Sequence, residues 1–295
     1  MSLLKAVLRA FDRIAPPSLA ESWDNTGLLI ESPMARRSAT NVLLTIDLTP
    51  AVAAEALSED SKVGVIVAYH PIIFRGLKSL TAADPLQEVM LKCAAAGISI
   101  YSPHTSLDSV VGGINDHLCG IVAGTQPGEP SPIYTVGGDL VSGPQLSGIG
   151  VGAGRRIQFE PHRQVNLMEI VHRCKTGLNL QHVQLARSRV GPTIIRSVGV
   201  CAGSGASICE SLGNSCDVFL TGEMSHHELL RANARGVHII LASHSNTERF
   251  FLGSVLRARL KELLLEEGTA PATVAGSDQW DVLVSCEDSD PVVIV

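Results

Sequence analysis

The sequence predicts an α/β protein made of two related lobes with mixed, largely parallel sheets. Three observations carry this. Strand-like, β-branched runs alternate with helical patterns along most of the chain. The second half repeats a pattern of the first. And 45% of residues are hydrophobic while only 4% are aromatic, so Val, Ile, Leu and Ala fill the core, as in a sheet covered by helices.

A chain of 295 residues has room for two ordinary domains or one large one. The formal charge is −6 and no Lys/Arg-rich run occurs, which argues against a nucleic-acid partner held by phosphate neutralisation. The seven cysteines are scattered, odd in number and without a CxxC pair. That is the pattern of reduced thiols in a reducing compartment, the cytoplasm first and the nucleus second. No apolar run approaches the ~20 residues of a membrane span.

The elements follow in order. The opening MSLLKAVLRAFDRI carries Lys5, Arg9 and Arg13 like a transit peptide, but Asp12 interrupts the positive face. Leu3, Leu4, Val7, Leu8, Phe11 and Ile14 recur at helical spacing, so it reads as the first helix, ended by Pro16-Pro17. Residues 41–46 read as a buried strand. Residues 50–59 read as a helix with Thr49 as N-cap, 63–68 as a second buried strand, 86–96 as a helix stopped by Gly97, and 98–101 as a third strand. The β-α-β alternation calls for parallel strands joined by crossovers. The Gly/Pro/Ser-rich stretch 124–150 is the expected boundary, with a strand over 148–159 and a helix over 164–174 beyond it. Strands then follow at 197–201, 218–221, 238–241 and 282–286, and helices at 206–213, 225–235 and 245–264. This divides the chain into an N-terminal lobe (1–124), a linker with an intervening strand–helix segment (125–195), and a C-terminal lobe (196–295).

The repeated pattern is specific. Gly97 to Asp108 and Gly236 to Glu248 each contain a helix-ending glycine, a short buried strand, a histidine at its end (His104, His244) and an acid four residues later (Asp108, Glu248). Upstream, VIVA ends in Tyr69-His70 and VFLT in Gly222-Glu223. We infer a duplicated unit whose polar residues gather at strand carboxyl ends, where open α/β sheets place their ligands.

Those residue types point to a metal. Histidine and carboxylate at i and i+4 share one helical face, with Cβ atoms about 5–6 Å apart. Two such pairs plus His70 supply imidazoles and carboxylates, the donors that suit zinc, manganese, iron, cobalt or nickel. A carboxylate can bridge two ions about 3.5–4 Å apart, and such pairs activate water. Against this, a lone histidine at a strand end is usually a hydrogen-bonded structural residue; the echoed context is what raises His70, Asp108, His244 and Glu248 above that reading.

Other residues admit two readings each. Glu223 is a general base or a carboxylate that orients a ligand. His226 and His227 shuttle protons or lie on the surface of a helix capped by Ser225. Trp23 to Gly27 is a loop over the site, or a turn packed by Trp23 with Asp24 and Asn25 satisfying its backbone. Gly203 to Ser207 is a phosphate cradle or, lacking a P-loop lysine, a tight β-α turn. No GxSxG nucleophile elbow occurs.

At these residues the chain resembles a known family. Residues 15–29 (APPSLAESWDNTGLL), Tyr69 to Phe74 (YHPIIF), Ser102 to Asp108 (SPHTSLD), Thr221 to Glu228 (TGEMSHHE) and His244 to Arg249 (HSNTER) are similar to blocks of the GTP cyclohydrolase I type 2 / NGG-interacting-factor-three-like proteins, eukaryotic branch. The resemblance runs from the first helix almost to the C-terminus. It implies related α/β lobes, a dinuclear metal centre in the cleft between them, and a homo-oligomer, either a dimer or a ring-shaped hexamer. Position by position it implies His70, Asp108, His244 and Glu248 as metal ligands, with Glu248 touching both ions. His104 lies beside them as a ligand or a supporting residue; read as a hydrolase, the chain has Glu223 or His104 as the catalytic group that moves protons. One departure bears on the count of divalent ions, one or two. Many bacterial members have two adjacent histidines where this chain has Tyr69-His70, and a phenol with a free pKa of about 10 is a poor ligand. Two functions follow: a metal-dependent hydrolase of phosphoesters, nucleotides or a ring carbon, or a non-enzymatic metal-handling or adaptor protein that binds transcription-related proteins.

Overall fold

The computed structural model describes residues 1–125, 130–134, 150–160, 162, 165–268 and 279–295. In chain order the elements are α1 (Leu3–Ile14), β1 (Gly27–Ile30), β2 (Asn41–Thr45), α2 (Pro50–Leu57), β3 (Val63–Ala68), α3 (Pro85–Ala95), β4 (Ser99–Ser102), α4 (His104–Ser109) and α5 (Ile114–Ala123). They continue with β5 (Ser131–Pro132), β6 (Arg155–Gln158), β7 (Val165–Asn166), α6 (Leu167–Gly177), β8 (Gln184–Ala186), β9 (Ile194–Ile195), β10 (Ser197–Ser204) and α7 (Ala206–Leu212). Last come β11 (Val218–Glu223), α8 (His226–Ala234), β12 (His238–Leu241), α9 (Asn246–Phe251), α10 (Arg257–Glu267) and β13 (Asp281–Val284).

The chain forms two compact units, one of residues 1–107 and 251–289, the other of residues 108–250 and 290–295. The first is built on a five-stranded sheet in the order β1-β4-β3-β2-β13. β13, β2, β3 and β4 run parallel, and β1 is antiparallel on the β4 edge. Every residue of β3 is buried, the mark of a strand covered on both faces. Leu43, Ile66, Ala68 and Ile100 meet Val52, Ala56, Val89 and Cys93 of α2 and α3 in one apolar cluster. Helix α1, with Leu3, Val7, Phe11 and Ile14 buried, packs against β3 and α10. The expected amphipathic stripe of the first helix is thus a core face.

The second unit holds a six-stranded sheet, β5-β6-β10-β11-β12-β8. Its centre is parallel (β10, β11, β12), flanked by antiparallel β6 and β8. Phe219, Ile239 and Leu241 pack with Cys209 of α7 and Ala232 of α8. β7 and β9 pair separately.

Local chemistry fixes the ends. Thr49 accepts from the Val52 N–H to cap α2, and Pro50 opens it. Asp84 accepts from the N–H groups of Leu86 and Gln87 to cap α3. Ser225 and Glu228 form a capping box on α8. Gly97 and Gly236 end the equivalent helices with φ of +83° and +91°, the left-handed conformation that glycine adopts without strain.

The repeat read from the sequence is real in three dimensions. β2-α2-β3-α3-β4-α4 and β10-α7-β11-α8-β12-α9 share element order, and in each the three strands are parallel neighbours. The long helix expected over 245–264 is α9 and α10 joined by a π turn, Leu252–Leu256. The strand expected over 148–159 is the shorter β6, and the helix expected over 164–174 is α6. Of the stretch 124–150, residues 126–129 and 135–149 lie outside the described residues. Among the described residues no helix is long and apolar enough to cross a membrane.

Candidate metal centre

In the first unit the ends of β2, β3 and β4 carry Asp47, His70 and His104. The ladder continues past the strands: Tyr69 and His70 donate from their backbone N–H groups to the carbonyls of Thr45 and Ile46, at 2.9 and 3.0 Å. This fixes the His70 backbone, and Asp47 then fixes its ring, with Oδ1 2.9 Å from Nδ1. An ionised carboxylate only accepts, so Nδ1 carries the proton and Nε2 is the unprotonated nitrogen, the tautomer in which an imidazole ligates a metal.

His104 is held the same way by a different partner. Its Nδ1 lies 2.7 Å from Asp24 Oδ1, while Asp24 Oδ2 accepts from the backbone N–H of Thr105 at 3.1 Å and from its hydroxyl at 2.5 Å. The Asp24 side chain is fully buried. Burial, the largest single effect, would raise its pKa, but the hydrogen bonds from His104 and Thr105 together outweigh it and hold the carboxyl below its usual value. His104 sits at φ +30°, a conformation that costs a non-glycine residue about 1–3 kcal/mol. It is kept there by its N–H bond to the Tyr69 carbonyl, which Ser102 Oγ also donates to. Tyr69 itself is buried, its ring centroid 5.0 Å from that of His70 and 5.4 Å from that of His104.

In the second unit the corresponding strand ends carry Gly203, Glu223 and His244. Glu223 Oε1 stands 2.9 Å from His244 Nδ1, so the ring presents Nε2 on its opposite edge. Four residues on, in the first turn of α9, Glu248 places Oε1 3.5 Å from that Nε2. Glu248 is a buried acid, 2% exposed. Gly203 packs directly against the pair. A Cβ there would lie 2.8 Å from Glu248 Oε1 and 2.9 Å from His244 Nε2, and its φ is +61°. The turn is pinned by Thr247, which accepts from the Gly203 N–H at 2.9 Å, and by Thr221, which donates to the Gly203 carbonyl at 3.0 Å.

His70, His244 and Glu248 form a group whose ligand atoms all lie within 4.8 Å of one another. Two imidazoles oriented through Nδ1 and one buried carboxylate fit a divalent transition ion by donor type. The bare chain around Gly203 leaves the pair room at its ligand atoms. His104 and Asp108 are not members of this group. Asp108 is half-buried on α4, four residues after His104, and its carbonyl accepts from Asn115 Nδ2 at 3.2 Å. His226 and His227 are exposed on α8 with ring centroids 5.4 Å apart.

Sequence reasoning missed Asp47 as the partner of His70. It treated Asp24 as a turn residue, although Asp24 is the carboxylate that orients His104. A signal for Asp47 existed: it follows β2, as His70 follows β3. No signal in the sequence pairs Asp24 with a histidine 80 residues away.

Comparison with known proteins places these residues in context. The family model described as Duf34/NIF3 (NGG1p interacting factor 3) matches residues 2–277. The chain is similar to "Protein NIF3 homolog" of Schizosaccharomyces pombe, 42% identical over 99% of this chain and 96% of that one. It is similar to "NGG1-interacting factor 3" of Saccharomyces cerevisiae, 37% identical over 99% and 96%, and to human "NIF3-like protein 1", 30% identical over 99% and 92%. Among solved structures it resembles a Bacillus cereus protein related to NIF3, with a TM-score of 0.75 at 20% identity over 99% and 98% of the two chains. It also resembles reduced HcgD from Methanocaldococcus jannaschii, with a TM-score of 0.71 at 20% identity over 95% and 96%. At such identities the likeness is one of fold.

Proposed function

The chain belongs to the Duf34/NIF3 family, and on that premise we propose that it is a metal-dependent hydrolase acting on a phosphoester, a nucleotide or a ring carbon. The observation that carries the reading is the grouping of His70, His244 and Glu248 within 4.8 Å, with a carboxylate on Nδ1 of each imidazole. Such carboxylate–histidine pairs fix tautomer and ring direction and raise ligand basicity. His70, His244 and Glu248 would hold the ion, with Asp108 the further ligand that the family resemblance implies, and the ion would supply Lewis acidity toward a substrate oxygen. Glu223 keeps the Nδ1 proton of His244 in place and His104, steadied by Asp24, moves a proton at Nε2. The cleft between lobes, the homo-oligomer (dimer or hexameric ring), the cytoplasmic or nuclear location and a centre of one or two zinc, manganese, iron, cobalt or nickel ions belong to the same proposal.

Elemental analysis of the purified protein, with and without His244→Ala, tests it. The expected result is at least one transition ion per chain, lost in the variant. Turnover of a phosphoester and nucleotide panel, reduced in Glu223→Gln, supports the hydrolase; metal-loaded protein that turns over none of the panel, with Glu223→Gln unchanged, sinks it. A second reading then stands, a metal-handling or adaptor protein, favoured by the name of the yeast relative as an NGG1-interacting factor. A ligand shell without an open position marks that alternative.

A further inference from the structure

This chain has few aromatic residues: two Trp, six Phe and three Tyr in 295 residues. An indole contributes most when buried, and Trp280 is buried accordingly, at 2% exposure. Trp23 is not. It stands 60% exposed, and Phe74 beside it 53% exposed. Their ring centroids are 6.0 Å apart at an interplanar angle of 56°, so neither ring covers the other's face. Both address the same imidazole: His104 is 6.0 Å from Trp23 at 80° and 6.4 Å from Phe74 at 76°.

The backbone that carries the two rings is tied down. Asn25 Nδ2 donates to the Ile73 carbonyl at 2.5 Å, joining the residue two after Trp23 to the residue before Phe74. On the other side of Trp23, the Glu21 backbone N–H donates to Thr105 Oγ1 at 3.0 Å, and the Asp24 backbone N–H donates to the Glu21 carbonyl at 3.0 Å. The buried Asp24 carboxylate anchors the turn to His104 and Thr105. Exposed rings on an anchored backbone have only their own two side-chain torsions to lose on binding, which favours a stacking surface.

We propose that Trp23 and Phe74 form a stacking platform for a flat heteroaromatic ring, of nucleobase size, that the substrate carries next to His104. This rests on the reading of His104 as the proton-moving group, and it names the substrate class that reading leaves open. A flat ring that lies face-on to one of these residues meets the other at their 56° tilt, between the stacked and edge-to-face geometries aromatic pairs prefer. Sugars and simple phosphoesters offer no such face. Stacking of this kind tolerates any base, because every base has a π-face.

The test uses the full chain in its metal-free form, with adenosine as the flat probe and ribose as the probe lacking a ring system. In a Trp280→Phe background Trp23 is the sole indole, so its emission reports the platform directly. The expected result is saturable quenching by adenosine and none by ribose. Kd should weaken at least about fivefold in Phe74→Leu, as a lost base–aromatic contact does, and hold in Phe74→Tyr. Calorimetry on the chain with both tryptophans and on Trp23→Leu gives the second measure: there too Trp23→Leu should bind at least fivefold more weakly, with an unchanged melting temperature. Adenosine binding that is as tight in Phe74→Leu and Trp23→Leu as in the chain that carries both rings overturns the proposal. So does Trp23 emission that shifts with protein concentration alone, in step with a rise in mass that Trp23→Leu abolishes, because the rings then cover a second copy of the chain. Adenosine binding by a chain that elemental analysis, made as purified and before any metal is stripped, finds devoid of metal leaves the platform standing and fails the metal reading; a chain that purifies with metal but binds no adenosine fails the platform alone.

Discussion

Glu223 and His244 meet at 2.9 Å across the ends of adjacent parallel strands, carboxylate Oε1 to imidazole Nδ1. Asp47 and His70 repeat the contact at the ends of β2 and β3, also at 2.9 Å. The two units thus use one device, a carboxylate on the neighbouring strand end, to aim an imidazole. Removing either carboxylate by Glu223→Ala or Asp47→Ala is expected to weaken metal binding about 10–100-fold, read by competition with a chelator of known affinity. Both carboxylates are substantially exposed, so the metal-free stability should stay within about 0.5 kcal/mol of wild type. Unchanged metal affinity in both variants would remove the orienting role.

Gly203→Ala tests the packing at the other face of the His244–Glu248 pair. The added Cβ meets Glu248 Oε1 at 2.8 Å and His244 Nε2 at 2.9 Å, and φ of +61° is unfavourable for alanine. The backbone alone costs roughly 1–2 kcal/mol, and the displaced carboxylate costs metal affinity in addition. Urea melts of the metal-free form read the first effect and chelator competition the second. An alanine variant that loads metal normally would mean the pair shifts without consequence.

How much of this was legible beforehand depends on the range of the interaction. Helix starts were readable because capping is local: Thr49 and Ser225 sit within three residues of the N–H groups they cap. The repeat was readable because a strand, a histidine and an acid at i+4 fit in one short segment. Strand β1 was not expected, since GLLI is too short to show alternation and takes its place by pairing with β4. The half-antiparallel sheet of the second unit depends on β6 and β8, whose partners lie tens of residues away. The same holds for the site. His244 and Glu248 were readable as a pair, whereas the Asp24–His104 contact spans 80 residues and has no local trace.

Arg155 is the clearest long-range element of the second unit. Its side chain is 1% exposed and its Nε donates to Asp116 Oδ1 at 2.5 Å. One terminal nitrogen donates to the carbonyls of Gly152 and Gly154, the other to those of Ser109 and Val110 at 3.0 Å each. It therefore clamps the turn just after Asp108. Arg155→Met leaves the Asp116 carboxylate without its cation and takes one donor from each of four carbonyls, of which Ser109 and Val110 keep the backbone N–H groups of Gly152 and Gly113. We expect a loss of about 3–5 kcal/mol in urea unfolding, the cost of breaking a buried pair. The double variant with Asp116→Asn should lose less than the sum of the two single losses. Strict additivity would mean the two side chains do not interact.

The capping box of α8 makes a pH prediction with a definite sign. Ser225 donates its backbone N–H to Glu228 Oε2 at 2.7 Å. That bond first, and the Ser225 hydroxyl second, hold the Glu228 carboxyl below its ordinary value, against a smaller opposing effect of burial. A carboxyl depressed in the folded state stabilises the fold at pH above its unfolded value, about 4.3. The contribution is lost as pH falls through the lower, folded value. Glu228→Gln keeps an acceptor for the Ser225 N–H but removes the charge that favours a helix N-terminus, worth about 0.3–1 kcal/mol. Urea unfolding should show wild type ahead of Glu228→Gln by a constant margin from pH 7 down to about pH 5. The margin should then narrow steadily in more acidic buffer, because protonated Glu and Gln are nearly alike as neutral acceptors. A margin that widens in acid would reverse the sign and show that Glu228 is better placed neutral than charged.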